Sequence, residues 1–402
     1  MSTGAPDPTT TRPPPEGGWF RFGSELPVDP PETSGSAGST VETWDPIPRF
    51  RPTSGAEAGT PYGPLLVPWG AHPPPPRPRR PRLPATPVGY LHLLRGPTRA
   101  WWRPLLSLVV LAAAFGLLTV PVYPITMAYG LLSGEATIDG IEAWLDGILV
   151  LEGPIGPGGY LLTSLSLIVL IPAAMLSIWA AHRIRPGFLS SVAGHLRWRW
   201  LLRCAIVLAP LWVVYLAIST LVDPPQSGRP DQWWVLLVMA LLLTPGQAAA
   251  EEYVFRGWVM QNVGAYVARP LVALVVSTAI GAAAFAAAHG SPDRWVLADL
   301  VLFAAVASVM TWRTGGLEAA IVMHTVNNIG VFVVTVTIGG WAEAFIGEET
   351  RGTPVAFAVS VVLHGIALAL VWWQAERVGL DPWFRPAGSA MSTAGPGVAA
   401  AP

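Results

Sequence analysis

Lysine is absent from this chain: all 24 of its basic residues are arginine. Charge of either sign is scarce, at 12% of 402 residues, against roughly 25% in soluble globular domains. That scarcity excludes an ordinary soluble fold. Cysteine occurs once, as Cys204, which excludes an internal disulfide and any multi-cysteine metal centre. In its apolar run Cys204 reads as a small core hydrophobe. The formal net charge of −1 leaves no basic footprint for nucleic acid, so no nucleic-acid partner is expected. The first 100 residues lack the apolar run of a secretory signal peptide.

What is abundant is apolar residues, 52% of the chain with a mean hydropathy of +0.47. They gather into eight stretches near the length that a bilayer requires, about 20 residues: Pro104–Tyr123, Tyr160–Ala181, Leu201–Leu221, Trp233–Tyr253, Pro270–His289, Trp295–Trp312, Leu317–Ile338 and Pro354–Trp373. Tryptophans including Trp101, Trp102, Trp200, Trp234 and Trp373 fall at their ends, where aromatic belts form. The expected fold is all-α, a polytopic membrane bundle of about eight helices. The expected organisation is a disordered Pro/Gly-rich segment over 1–90, a membrane domain over 100–375 with its functional core near 200–340, and a disordered tail over 386–402. The run Pro73–Pro84, rich in proline and arginine, favours polyproline II, suited either to an SH3-like partner or to tethering at anionic lipid.

Arginine placement predicts orientation. Seventeen arginines flank the spans on the side of the two termini, and only Arg229, Arg294 and Arg351 lie on the other. By the positive-inside rule both termini are cytoplasmic, in a multi-pass protein of a cell membrane.

Within this apolar sequence stand three polar signatures: Glu251-Glu252-x-x-x-Arg256, Phe285-x-x-x-His289 and His324-x-x-x-Asn328. Ionisable groups at membrane depth are costly and mark function by default. Each internal spacing of four puts both ends on one helical face. Glu252 and Arg256 neutralise one another as an i,i+4 pair, which leaves Glu251 unpartnered. An unpaired carboxylate in a low-dielectric site takes a proton more readily, as a general base must. The blander alternative is that both glutamates share Arg256 at the membrane interface. Phe285 walls off water beside His289, itself readable as an interfacial hydrogen-bonded histidine. His324 and Asn328 present donors to an oxyanion, ligate a metal, or make an interhelical hydrogen bond. His364 reads as structural, without a polar companion at helical spacing. Glu318 reads as a helix-start carboxylate, Gln247 as support one turn before Glu251, and Pro245-Gly246 as a bend ahead of the motif.

These three motifs, in this order, resemble the CPBP intramembrane protease family, which includes the type II CAAX prenyl endopeptidases and the bacterial Abi proteins. The resemblance covers about residues 200–340, and the stretch Thr244–Trp258 is similar to the bacterial branch. It implies hydrolysis of a peptide bond in a membrane-associated protein or peptide. Glu251 would activate water with help from His289, His324 and Asn328 would stabilise the oxyanion, and Glu252 with Arg256 would orient Glu251. The family is labelled metallo-, yet no His-Glu-x-x-His helix is present. Zinc would need Glu251, His289 and His324 from separate helices, so the sequence leaves metal open. The rival readings are a non-catalytic membrane scaffold or bacteriocin-immunity-type peptide binder, and a transporter, the last without the paired interrupted helices common there. One tension stands: a simple hairpin of spans four and five puts Glu251 and His289 on opposite sides. Burial of Gln261–Pro270, which would shift both spans, is the expected resolution.

Overall fold

A computed structural model describes residues 82–149, 155–225 and 227–386 (the side chain of Glu343 excepted), all within the unit Pro75–Pro402. The expected disordered segment 1–90 lies outside these residues except for 82–90, and the tail 386–402 except for Pro386. From Arg82 the chain is ordered: β1 (Val88–Gly89) pairs antiparallel with β2 (Trp383–Phe384), Val88 opposite Phe384. Tyr90 follows, fully buried, its hydroxyl donating to the carbonyl of Leu189.

Twelve α-helices follow: α1 (Arg103–Thr119), α2 (Val122–Ser133), α3 (Ile141–Leu149), α4 (Pro157–Ile168), α5 (Leu170–His182), α6 (Trp198–Val222), α7 (Trp233–Glu252), α8 (Met260–Gly264), α9 (Pro270–His289), α10 (Arg294–Thr314), α11 (Glu318–Thr337) and α12 (Pro354–Arg377). Several are halves of one span, because among the described residues eight continuous segments are long and apolar enough to cross a membrane. The all-α expectation holds, and the chain is a multi-pass membrane protein. Proline sets the internal breaks, since its missing N–H frees the carbonyl four residues earlier. Pro124 does this to Val120, where α1 gives way to α2, and Pro172 to Ile168, where α4 ends.

Span ends differ from expectation mainly at two places. The first span runs on from Tyr123 to Ser133, and the fourth continues past Tyr253 to Gly264. Past Glu252 that fourth span is a π-helix, Tyr253–Val259, leading straight into α8. Buried polar contacts hold this end inside the protein. Gln261 donates to the Phe188 carbonyl at 2.8 Å, and Asn262 meets His182 at 3.0 Å.

Helix α11 is central, packed by α6, α7 and α10, while α12 and α9 lie against α10, α4 against α7, and α1 against α5. Its first turns are buried through His324. Large apolar side chains such as Leu202, Ile206 and Val213 point outward from α6, which costs nothing against lipid tails as apolar as leucine. Not every span-end tryptophan joins the belt: Trp198 is exposed, but Trp200 is buried in the main core with Cys204 and Met323.

Candidate active site

The π-helix begins on the residue after Glu252. Such segments insert an extra residue per turn and concentrate at functional sites; nothing in the sequence announced it. Arg256 within it is buried, and its Nη1 donates to Glu252 Oε1 at 3.0 Å. The guanidinium carbon stands 4.7 Å from the Phe285 ring centre, 5.7 Å from Phe303 and 6.0 Å from Phe255. Desolvation is thus met by one carboxylate and three ring faces, an arrangement in which cation–π attraction is strongest.

From α11, His324 reaches the same carboxylate: Nδ1 lies 2.8 Å from Glu252 Oε1. With Arg256 donating to that oxygen, Nδ1–H donates too. The other ring nitrogen, Nε2, faces Glu251 Oε2 at 3.8 Å. Glu252 is fully buried, whereas the Glu251 side chain keeps 12% of its surface. One carboxylate is thus held by two cationic or donor groups, and its neighbour in sequence, slightly more exposed, stands 3.8 Å from the same imidazole. The ion pair positions His324 directly, where only support of Glu251 was expected.

The small residues of α9 set the third component. A Cβ on Gly281 would lie 3.5 Å from the Phe255 carbonyl, and Phe285 packs edge-on against Phe255 at 5.3 Å. Helix α9 carries His289 one turn beyond Phe285. The fourth span extends to Gly264, so that Glu251 is well inside it and not at its end. His289 Nδ1 lies 2.8 Å from the Phe285 carbonyl. A carbonyl only accepts, so Nδ1 carries the hydrogen, and Nε2 of the neutral ring offers a lone pair. Phe285 touches both imidazoles, with centroids 4.6 Å from His289 and 6.1 Å from His324. Phe303 adds a ring 4.9 Å from His324. Its position in an apolar helix carried no signal in the sequence.

Asn328 lies one turn beyond His324. Its Oδ1 accepts from Asn327 Nδ2 at 3.1 Å, and Asn327 Oδ1 in turn accepts from Trp212 Nε1 at 3.0 Å. This chain engages the acceptor oxygen of Asn328, whose amide nitrogen can only donate. Asn327 and Trp212 had not been singled out. Gln247 Oε1, Glu252 Oε2 and Arg256 Nη2 are buried without a hydrogen-bond partner, so the polar interior has spare capacity for a reactant.

Several flanking residues differ from expectation. Glu318 does more than start α11, since Arg197 clasps it with Nε at 2.9 Å, Nη2 at 2.7 Å and its backbone N–H at 2.8 Å. His364 does have a polar companion, Ser360 one turn earlier. Helix α7 continues through Pro245, and Pro245 and Gly246 line an apolar cavity of about 440 Å³ that reaches Tyr253 and Thr325. The metal candidates Glu251, His289 and His324 do not form a ligand set: among the described residues no three His, Cys, Asp or Glu side chains are grouped to hold a metal ion. Glu252 engages one nitrogen of His324, and Phe285 packs against both imidazoles.

Residues 232–330, which contain all seven motif residues, match the family described as type II CAAX prenyl endopeptidase Rce1-like. Among curated proteins, uncharacterized protein YyaK of Bacillus subtilis (strain 168) is 30% identical over 154 residues, 36% of this chain. The match covers 51% of that relative, so the chain spans about half of its length. No solved structure matches the chain.

Proposed function

We propose that this protein is an intramembrane endopeptidase that hydrolyses a peptide bond of a membrane-associated protein or peptide, with both of its own termini cytoplasmic. The observation that carries this reading is the meeting of Glu251, Glu252–Arg256 and His324 at one buried centre. Glu252 is taken up by Arg256 and His324 at 3.0 and 2.8 Å, whereas Glu251 makes the looser 3.8 Å contact with His324 Nε2. Glu251 takes a proton from water, and the oxygen attacks the scissile carbonyl carbon. His289, oriented by its bond to the Phe285 carbonyl, holds that water through Nε2. The oxyanion that forms is met by the Asn328 amide, and by His324 when its ring carries a hydrogen on Nε2 as well as on Nδ1. Glu251 returns the proton to the leaving nitrogen as the C–N bond breaks. Glu252 and Arg256 fix the His324 ring, and the phenylalanines keep bulk water out, which strengthens each polar contact.

The Glu251→Gln variant tests this. Full-length protein in liposomes is offered a library of membrane-anchored peptides, and products are read by mass spectrometry. Wild type should release fragments, and Glu251→Gln should lose about 10²–10⁴-fold in rate while inserting and melting like wild type. Equal cleavage by the two proteins would remove Glu251 from the reaction, and no cleavage by either would leave only the reading as a peptide binder or scaffold.

A further inference from the structure

A second polar cavity, of about 220 Å³, lies between α6, α10, α11, α12 and the loop that precedes α12. The groove between α6 and α11 is apolar throughout, but this cavity is lined by Tyr215, Asp299, Asn327 and His364. Asp299 Oδ1 and His364 Nε2 are both buried and without a hydrogen-bond partner. His364 Nδ1 sits 2.9 Å from the Ser360 carbonyl, which can only accept, so the hydrogen is on Nδ1 and Nε2 of the neutral ring is an acceptor. Both open atoms therefore call for a donor, and the charged one calls for a cation. Buried acceptors left unmet are costly. Trp295 and Phe357, 5.8 Å apart, add aromatic surface of the kind that attracts cations.

The chain contains no lysine, so no side-chain ammonium of its own can fill this place. The volume falls below the range of about 300–1,000 Å³ typical of whole small-molecule sites and suits a single side chain. A metal is poorly served, because no three-ligand cluster exists among the described residues. An ammonium on a flexible stem, with three donors for scattered acceptors, matches the chemistry better than a planar guanidinium fork. Asn327 joins the cavity to the catalytic centre, since it lines the cavity and donates to Asn328. Phe303 bridges them as well, 4.9 Å from His324 and 5.6 Å from His364.

We infer that this cavity is a subsite for a primary ammonium group, the side chain of a lysine near the scissile bond of the substrate. The assignment to substrate rests on the endopeptidase reading; the ammonium site does not. The test uses full-length protein in detergent at pH 7, titrated with Nα-acetyl-lysine amide or with the uncharged analogue Nα-acetyl-norleucine amide, and followed by saturation-transfer NMR. The lysine derivative should bind about tenfold or more tightly, as one charge-assisted contact predicts, and Asp299→Asn should erase the difference. Equal affinities, or no saturable binding of the lysine derivative, overturn the proposal. This wild-type comparison decides even if Asp299→Asn does not fold. A second arm compares cleavage of membrane-anchored peptides carrying lysine or norleucine. Cleavage of both without preference sinks the subsite and spares the endopeptidase reading. Binding of the lysine derivative with no cleavage of either peptide does the reverse.

Discussion

His324 and Glu252, 72 residues apart in sequence, are joined by a 2.8 Å hydrogen bond from Nδ1 to Oε1. The same oxygen takes Nη1 of Arg256. A carboxylate shared in this way is a structural group, and it separates two adjacent glutamates: Glu252 holds two partners, and Glu251 makes a looser 3.8 Å contact with His324.

Glu252→Ala should therefore be mainly a stability lesion. It strands Arg256 as a buried charge, and breaking a buried pair from one side costs about 3–5 kcal/mol. Thermal unfolding in detergent should show a large drop, partly restored by adding Arg256→Met. An unchanged melting temperature in Glu252→Ala would contradict the pairing.

Asn328→Ala should act on rate. Removing one donor from an oxyanion site costs about 10²–10³ in kcat, with KM little altered, because the ground-state carbonyl needs that donor less. A rise in KM alone would move Asn328 from the reacting centre to substrate binding.

Two glycines separate backbone strain from crowding. Gly315 and Gly290 end α10 and α9 in the left-handed region, at φ 69° and 68°. A Cβ at Gly290 meets nothing within 4 Å, but one at Gly315 would stand 2.5 Å from the Pro382 carbonyl. Alanine at either place costs about 1–2 kcal/mol for the conformation. Gly315→Ala should melt well below Gly290→Ala, and equal melting temperatures would remove the Pro382 contact from the account.

Asp293 caps α10, its Oδ1 accepting from Val296, Trp295 and Gly352 N–H groups. The Val296 bond first, and then the others with the nearby Arg351 charge, hold its carboxyl below the usual carboxylate range. A depressed value means that the stabilisation is present above the ordinary carboxylate pKa, about 3.9, and is lost as pH falls through the lowered one. Asp293→Ala should thus melt below wild type at pH 7, and the gap should close in strong acid. A gap that persists unchanged there would assign the effect to packing.

The eight spans were legible in the sequence because lipid leaves the backbone little choice but helix, and apolar length alone marks the segment. The three motifs were legible because charge in such a segment is rare. Extension of the fourth span past Tyr253 was not, since Arg256, Gln261 and Asn262 look like a span end until Phe303, Phe188 and His182 surround them. Asn327 and Trp212 were likewise invisible, each an ordinary residue of its helix until the two met.

Sequence by itself determined the membrane class, the number of apolar spans and which polar residues are too costly to be incidental, because transfer energies are properties of single residues and short segments. Only the tertiary structure decided that Glu252 belongs to Arg256 and His324, and that Phe285 packs against both His289 and His324. It also decided that Asp299 and His364 share a cavity. Those are distances between side chains on separate helices, set by how the helices pack, and no local pattern contains them.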